Sequence, residues 1–174
     1  MDIPLEALSL REAYRQTGGD SPPHEIPWIV RFMENPASPL SFPGQIDLRE
    51  HDYLHILLGL DRSPKSEAFL VGFCMGLDPR TTLFHLTIFK IISRFLYPKS
   101  YRFSSMDIAT FERGYLVGKN PRYDFIDHLD FTPYLDMRVS EIGQKTRLYP
   151  IKQPAICTPQ MSVENSMPIH TRSP

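Results

Sequence analysis

The residues whose types and spacing can do chemistry lie in one short stretch, LREHDYLHILLGLDRSPKSEAF. His51 and His55 are four residues apart, which on a helix sets both imidazoles on one face, one turn apart and within reach of a single ion. Their helix is almost wholly apolar, with Tyr53, Leu54, Ile56, Leu57, Leu58 and Leu60 around them. A helix that is apolar on all sides is buried, and two buried imidazoles need polar partners. A divalent metal is a partner that satisfies both. Asp52 adjoins His51 and can lean toward the same ion or orient one of its ligands.

Glu67 enters by geometry. His55 lies four residues before Gly59, and Glu67 four residues after Ser63, about 6 Å of helix rise in each case. An antiparallel hairpin over the intervening turn brings Glu67 level with His55. The spacing thus predicts a metal site of His51, Asp52, His55 and Glu67, with Asp52 and Glu67 as the groups that can also carry a proton. Mixed nitrogen and oxygen donors suit Zn, Fe(II) or Mn, with Mg as a further candidate, better than a thiolate-loving ion. The competing reading is a helix that carries two unrelated histidines.

The elements needed to hold these residues are helical. Leu48 to Leu60 reads as one helix with Gly59 at its cap, and Ser63 and Pro64 open a second that runs to Leu77. Further helices are expected from Leu5 to Gln16, from Pro27 onward, from Thr82 to Leu96 before Pro98, from Ser105 to Leu116 with Ser105 as N-cap, and between Phe131 and Ile142. No strand-like alternation of any length is present, so the expected fold is an all-α, single-domain helical bundle whose hairpin carries the metal site. The expected organisation is an N-terminal helix and linker at 1–25, the helical domain at 26–148 and an irregular tail at 149–174. From Pro150 onward five of 25 residues are Pro, without periodicity.

Composition narrows the function. The chain has 174 residues, 41% of them hydrophobic, enough for one domain with a core. Nineteen Lys+Arg against 20 Asp+Glu give a net charge of -1, so no global basic field invites nucleic acid. Two cysteines, Cys74 and Cys157, make no disulfide framework. The first residues carry Asp2, Glu6 and Glu12 without an apolar core, unlike a secretory or transit peptide. The expected location is cytoplasmic, peripheral to the inner membrane.

His51-Asp52-x-x-His55, followed after eleven residues by Glu67, resembles the signature of the ubiquinone (coenzyme Q) biosynthesis family called coenzyme Q biosynthesis protein four. The text LREHDYLHILLG is similar to that family's stretch, and FERGYLVGK and FIDHLDF with MRVSEIG resemble its later helices more loosely. The likeness covers roughly residues 28 to 148 and departs at the polar turn DRSPKS and after Leu77. It implies an all-helical protein with zinc on His51, Asp52, His55 and Glu67. It also implies a polyprenylated benzoquinone precursor as substrate at a membrane surface, loss of the ring carboxyl at C1 with hydroxyl in its place, and other quinone-biosynthesis proteins as partners.

Separately, TTLFHLTIFKIISRFLY carries more apolar surface than a small bundle needs. Phe73, Leu83, Phe84, Ile88, Phe89 and Ile92 are the candidates to line a groove for an isoprenoid chain, or to form an interfacial helix whose cations meet anionic headgroups. The alternative is an ordinary core helix, and a homodimer is also compatible with the sequence. Two further functions stand beside a metal-dependent lyase: a non-catalytic prenyl-lipid scaffold with a structural metal, and a metal-dependent phosphohydrolase drawing on His24 and Asp107. His85 and His128 are lesser candidates, Trp28 an anchor and Cys74 a core residue.

Overall fold

The helix ends are written in local side-chain chemistry, and each cap fixes where an element begins. The computed structural model describes residues 3–18, 43–44, 46–97, 99, 102–123 and 130–151, which form a single all-α domain. Ser9 and Glu12 make a reciprocal capping box, so the first α-helix starts later than Leu5: a short 3-10 turn at Leu5–Ala7 precedes α1 at Leu10–Gln16. The helix that carries the histidines, α2, spans Leu48–Leu58. It stops at Gly59, whose φ of 62° lies in the left-handed region that favours glycine. The Leu60 N–H then bonds the His55 carbonyl at 2.9 Å and the Gly59 N–H the Ile56 carbonyl at 3.2 Å, the Schellman closure.

The turn that follows is held by Asp61. Its carboxylate accepts from the Ser63 N–H at 3.1 Å, the Ser63 hydroxyl at 2.6 Å and the buried Ser66 hydroxyl at 2.5 Å. Ser63 caps α3, Pro64–Leu77, with Pro64 in its first turn. α4 covers Leu83–Ile91 and passes into a π-helical turn at Ile92–Leu96, so the single helix expected from Thr82 to Leu96 is wound differently in its last turn. α5, Ser105–Gly118, is capped by Ser104 rather than Ser105, because Asp107 three residues later completes a box only with Ser104. The helix expected between Phe131 and Ile142 is a 3-10 turn at Thr132–Tyr134, followed by α6 at Val139–Thr146. The helix expected from Pro27, Trp28, His24, His128 and the tail beyond Ile151 lie outside the described residues.

Two clusters make the core. The larger gathers Leu10 and Ala13 of α1, Tyr53, Leu54, Leu57 and Leu58 of α2, Phe69, Leu70 and Phe73 of α3, and Tyr123, Phe131, Ile142 and Leu148. The N-terminal helix thus shares its core with the rest of the domain. The backbone ties it there as well, with the Leu10 N–H on the Met137 carbonyl at 3.0 Å and the Val139 N–H on the Leu8 carbonyl at 3.0 Å. The smaller cluster joins α4 to α5 through Leu86, Phe89, Phe103 and Phe111, with the Phe89 and Phe111 rings stacked 4.6 Å apart.

α3 and α5 meet backbone to backbone. Gly72 and Gly76 on one helix and Gly114 and Gly118 on the other are buried and recur every four residues. A Cβ at Gly72 would strike the Phe111 carbonyl oxygen, one at Gly76 the Tyr115 carbonyl, one at Gly114 the Phe69 carbonyl and one at Gly118 the Phe73 carbonyl. Gly114 is therefore a contact residue inside a continuous helix, and Gly76 sits within α3. An exposed helical Gly gains about 1 kcal/mol on replacement by Ala. Gly114→Ala, with rigid backbone opposite, should instead destabilise the fold by about 2 kcal/mol or more, read as a lower urea midpoint.

Candidate metal centre

Six successive residues of α2, Tyr53 through Leu58, are buried, and His55 is among them at 5% exposure. An imidazole in that position has been taken out of water and must find a polar partner inside. His51, one turn earlier, presents its ring beside it, with ring centroids 4.8 Å apart. The partner comes from the next helix. Glu67 lies in the first turn of α3, where the Ser63 cap and the Asp61 network fix the start of the helix. Its Oε2 is 3.2 Å from His51 Nε2 and its Oε1 is 3.1 Å from His55 Nε2. One carboxylate spans both rings.

The electrostatics follow from this contact. Burial pushes the Glu67 carboxyl up, but the two imidazoles beside it outweigh burial and hold it at about 2. His55 Nε2 approaches the carboxylate without an aligned hydrogen bond, and its Nδ1 is buried with no hydrogen-bond partner among the described residues. Donors of two ligands around one tetrahedral zinc stand about 3.3 Å apart. The observed separations match that spacing, and all three ligand atoms lie within 4.8 Å of one another. Two imidazoles and a carboxylate gathered so closely can hold a divalent metal.

Asp52 stands beside this cluster. Its Oδ1 is 3.3 Å from Arg62 Nη2, at the turn between α2 and α3, and the three-residue cluster does not include it. Burial pushes its carboxyl up, while Arg62 and then the histidines pull it down, with a net upward shift. The expected set of four ligands is thus seen as His51, His55 and Glu67 together, with Asp52 paired to an arginine. Arg62, half exposed, is the neighbour that sequence reasoning missed, and the polar turn DRSPKS was its only signal.

The expected lipid-binding residues separate into three kinds. Phe73 is fully buried, its ring edge-on to Tyr123 at 5.2 Å, and Phe89 is buried against Phe111, so both are core residues. Leu83 and Phe84 point outward, 79% and 70% exposed, while Ile88 and Ile92 are half-buried. Phe73 and Phe89 thus belong to the core, and Leu83 and Phe84 to the surface. The lesser candidates also find structural roles. Asp107 is committed to the Ser104 cap, with its carboxylate 2.7 Å from the hydroxyl, and His85 Nδ1 caps α4 by taking the Thr82 N–H at 3.1 Å.

No family model, no curated protein and no solved structure matches this chain. The geometry of the cluster therefore carries the functional argument.

Acid titration reports the Glu67 contact in the metal-free protein. A carboxyl held below its ordinary 4.5 stabilises the fold fully above that value, and the stabilisation is lost as pH falls toward about 2. Urea midpoints followed across that range should fall for the native chain, and Glu67→Gln should flatten this part of the profile.

Proposed function

We propose that this chain is a metal-dependent protein of prenylquinone biosynthesis that binds a polyprenylated benzoquinone precursor and acts in decarboxylation at its C1, where a proton takes the place of the departing carboxyl group; hydroxylation of that carbon would be a separate step that draws on an external oxidant such as dioxygen. The observation that supports the reading is the single carboxylate of Glu67 set 3.2 and 3.1 Å from the imidazoles of His51 and His55. The three donors gathered among the described residues leave a fourth position for substrate, the pattern of catalytic rather than structural zinc. That count favours a lyase over a scaffold whose metal only holds the fold. The sequence likeness of the His51-Asp52-x-x-His55 and Glu67 pattern supports the choice of substrate class.

Zinc is the preferred ion, by the same donor set. Bound by His51, His55 and Glu67, it would supply the positive charge that stabilises electron density left on the ring as carbon dioxide departs. The chain's own residues supply the rest. Glu67, already ionised, spans both rings and holds them in register. Asp52, with its carboxyl raised by burial, is placed to hold a proton next to the cluster and release it to the ring carbon. Arg62 opposes that rise and orients the Asp52 carboxylate at 3.3 Å.

The test separates ligands from the proton carrier. Purified protein should hold one zinc per chain by elemental analysis, and His55→Ala should lose it together with carbon dioxide release from a polyprenylated hydroxybenzoic acid. Asp52→Asn should keep the zinc while turnover falls about a hundredfold or more. Undiminished release from the metal-free His51→Ala, His55→Ala double variant overturns the reading.

A further inference from the structure

The charge of this chain is not evenly spread. From Pro79 to Met106 there are five cations, Arg80, Lys90, Arg94, Lys99 and Arg102, and no Asp or Glu. The chain as a whole has a net charge of -1, so this segment is a basic island in an otherwise acidic molecule. The same segment holds a cluster of five exposed large apolar side chains. Phe84, Ile91 and Phe95 are 70%, 46% and 61% exposed, and Leu83 and Leu96 are 79% and 66% exposed.

These residues share a direction. Phe84, Ile91 and Phe95 recur at spacings of seven and four, the period of one helix face. The opposite face carries the buried Leu86 and Phe89, which pack α4 against α5, and continues into the buried Ser93 of the π-helical turn. α4 therefore has two apolar faces, and only one is packed against other described residues. Leaving rings such as Phe84 and Phe95 in water costs apolar hydration that nothing within the described residues offsets.

The flanking groups select what covers that face. Arg80 pairs with Asp78 at 2.6 Å and Lys90 with Glu112 at 2.7 Å. Arg94 bonds instead to the Ser105 hydroxyl at 3.1 Å and stacks over the Phe95 ring, and Arg102 bonds to the Tyr97 carbonyl at 2.9 Å. Among the described residues neither of these last two pairs with a carboxylate, and Lys99, between them in the chain, is exposed. Two copies of the chain joined through this face would bring these cations together, so a homodimer is disfavoured there. An anionic lipid surface answers both demands, with acyl chains for the rings and headgroups for the cations. No helix among the described residues is long and apolar enough to cross a membrane.

We propose that the outward face of α4 and its π-helical turn, with Phe84, Ile91 and Phe95 at its centre and Arg94, Lys99 and Arg102 at its edge, docks on an anionic lipid membrane. This rests on exposure and charge and is independent of the metal reading.

The experiment is sedimentation of the full chain with large vesicles of phosphatidylcholine alone and of phosphatidylcholine mixed equally with phosphatidylglycerol. The chain should pellet with the mixed vesicles, remain in solution with the neutral ones, and be released by high salt. The double variant Phe84→Ser, Phe95→Ser should lower partitioning at least tenfold, by roughly the area term for two rings. Arg94→Gln and Lys99→Gln should each lower it about fivefold. All four positions are exposed, so the variants should fold and keep the metal content of the parent chain. Failure to pellet with mixed vesicles overturns the proposal, as does binding that the ring variant leaves unchanged. A concentration-dependent dimer broken by Phe84→Ser, Phe95→Ser in a chain that ignores vesicles would assign the face to a second copy and equally overturn it.

Discussion

The structure around the cluster turns on the need of a buried imidazole for a polar partner. α2 is driven inward by Tyr53, Leu54, Leu57 and Leu58, and that burial carries His55 with it. An uncompensated ring nitrogen at such a site costs about 1 to 3 kcal/mol, so a helix with this sequence is stable only where something polar reaches it. Glu67 does so from the next helix, and it reaches His51 as well. The carboxylate is itself drawn out of water, and the two rings hold it ionised. Each member of the trio thus makes the burial of the others tolerable. The same closeness that answers the burial problem creates a donor set able to chelate.

The position of Glu67 depends in turn on how α3 is fixed at both ends. At its start, Asp61 and Ser63 hold the turn and define the first helical residue. Along its length, Gly72 and Gly76 press its backbone onto that of α5. Close approach of this kind allows little sliding, since every neighbouring position carries a side chain that would clash. α5 is then the platform for α4, through the stacked rings of Phe111 and Phe89. One rigid helix pair therefore positions Glu67 on one side and the exposed face of α4 on the other.

Much of the helical layout was legible because caps are local. Ser63 followed by Pro64, and Gly59 after a run of leucines, are signals read within a few residues, and α2 and α3 begin and end close to where those signals point. Errors fell where two local signals competed. Ser104 and Ser105 are adjacent candidates, and only the partner at Asp107 decides between them. Leu5 to Gln16 has a helical pattern throughout, yet the Ser9–Glu12 box starts the α-helix within it. Gly is a weak helix former, and that propensity carries no information about the backbone of α3 lying opposite Gly114.

By itself the amino-acid sequence determined that the chain is helical, that His51 and His55 share a face, and that α2 is buried, because these properties arise within one or two helical turns. Tertiary structure alone decided that one carboxylate meets both rings while Asp52 turns to Arg62. It alone sent Phe73 and Phe89 into the core and left Leu83 and Phe84 outside, although all four belong to equally apolar stretches. Helical periodicity sets the angle at which a side chain leaves its own helix. Which neighbour, or which solvent, it then meets depends on how separate helices pack, and that is governed by contacts between residues distant in the chain.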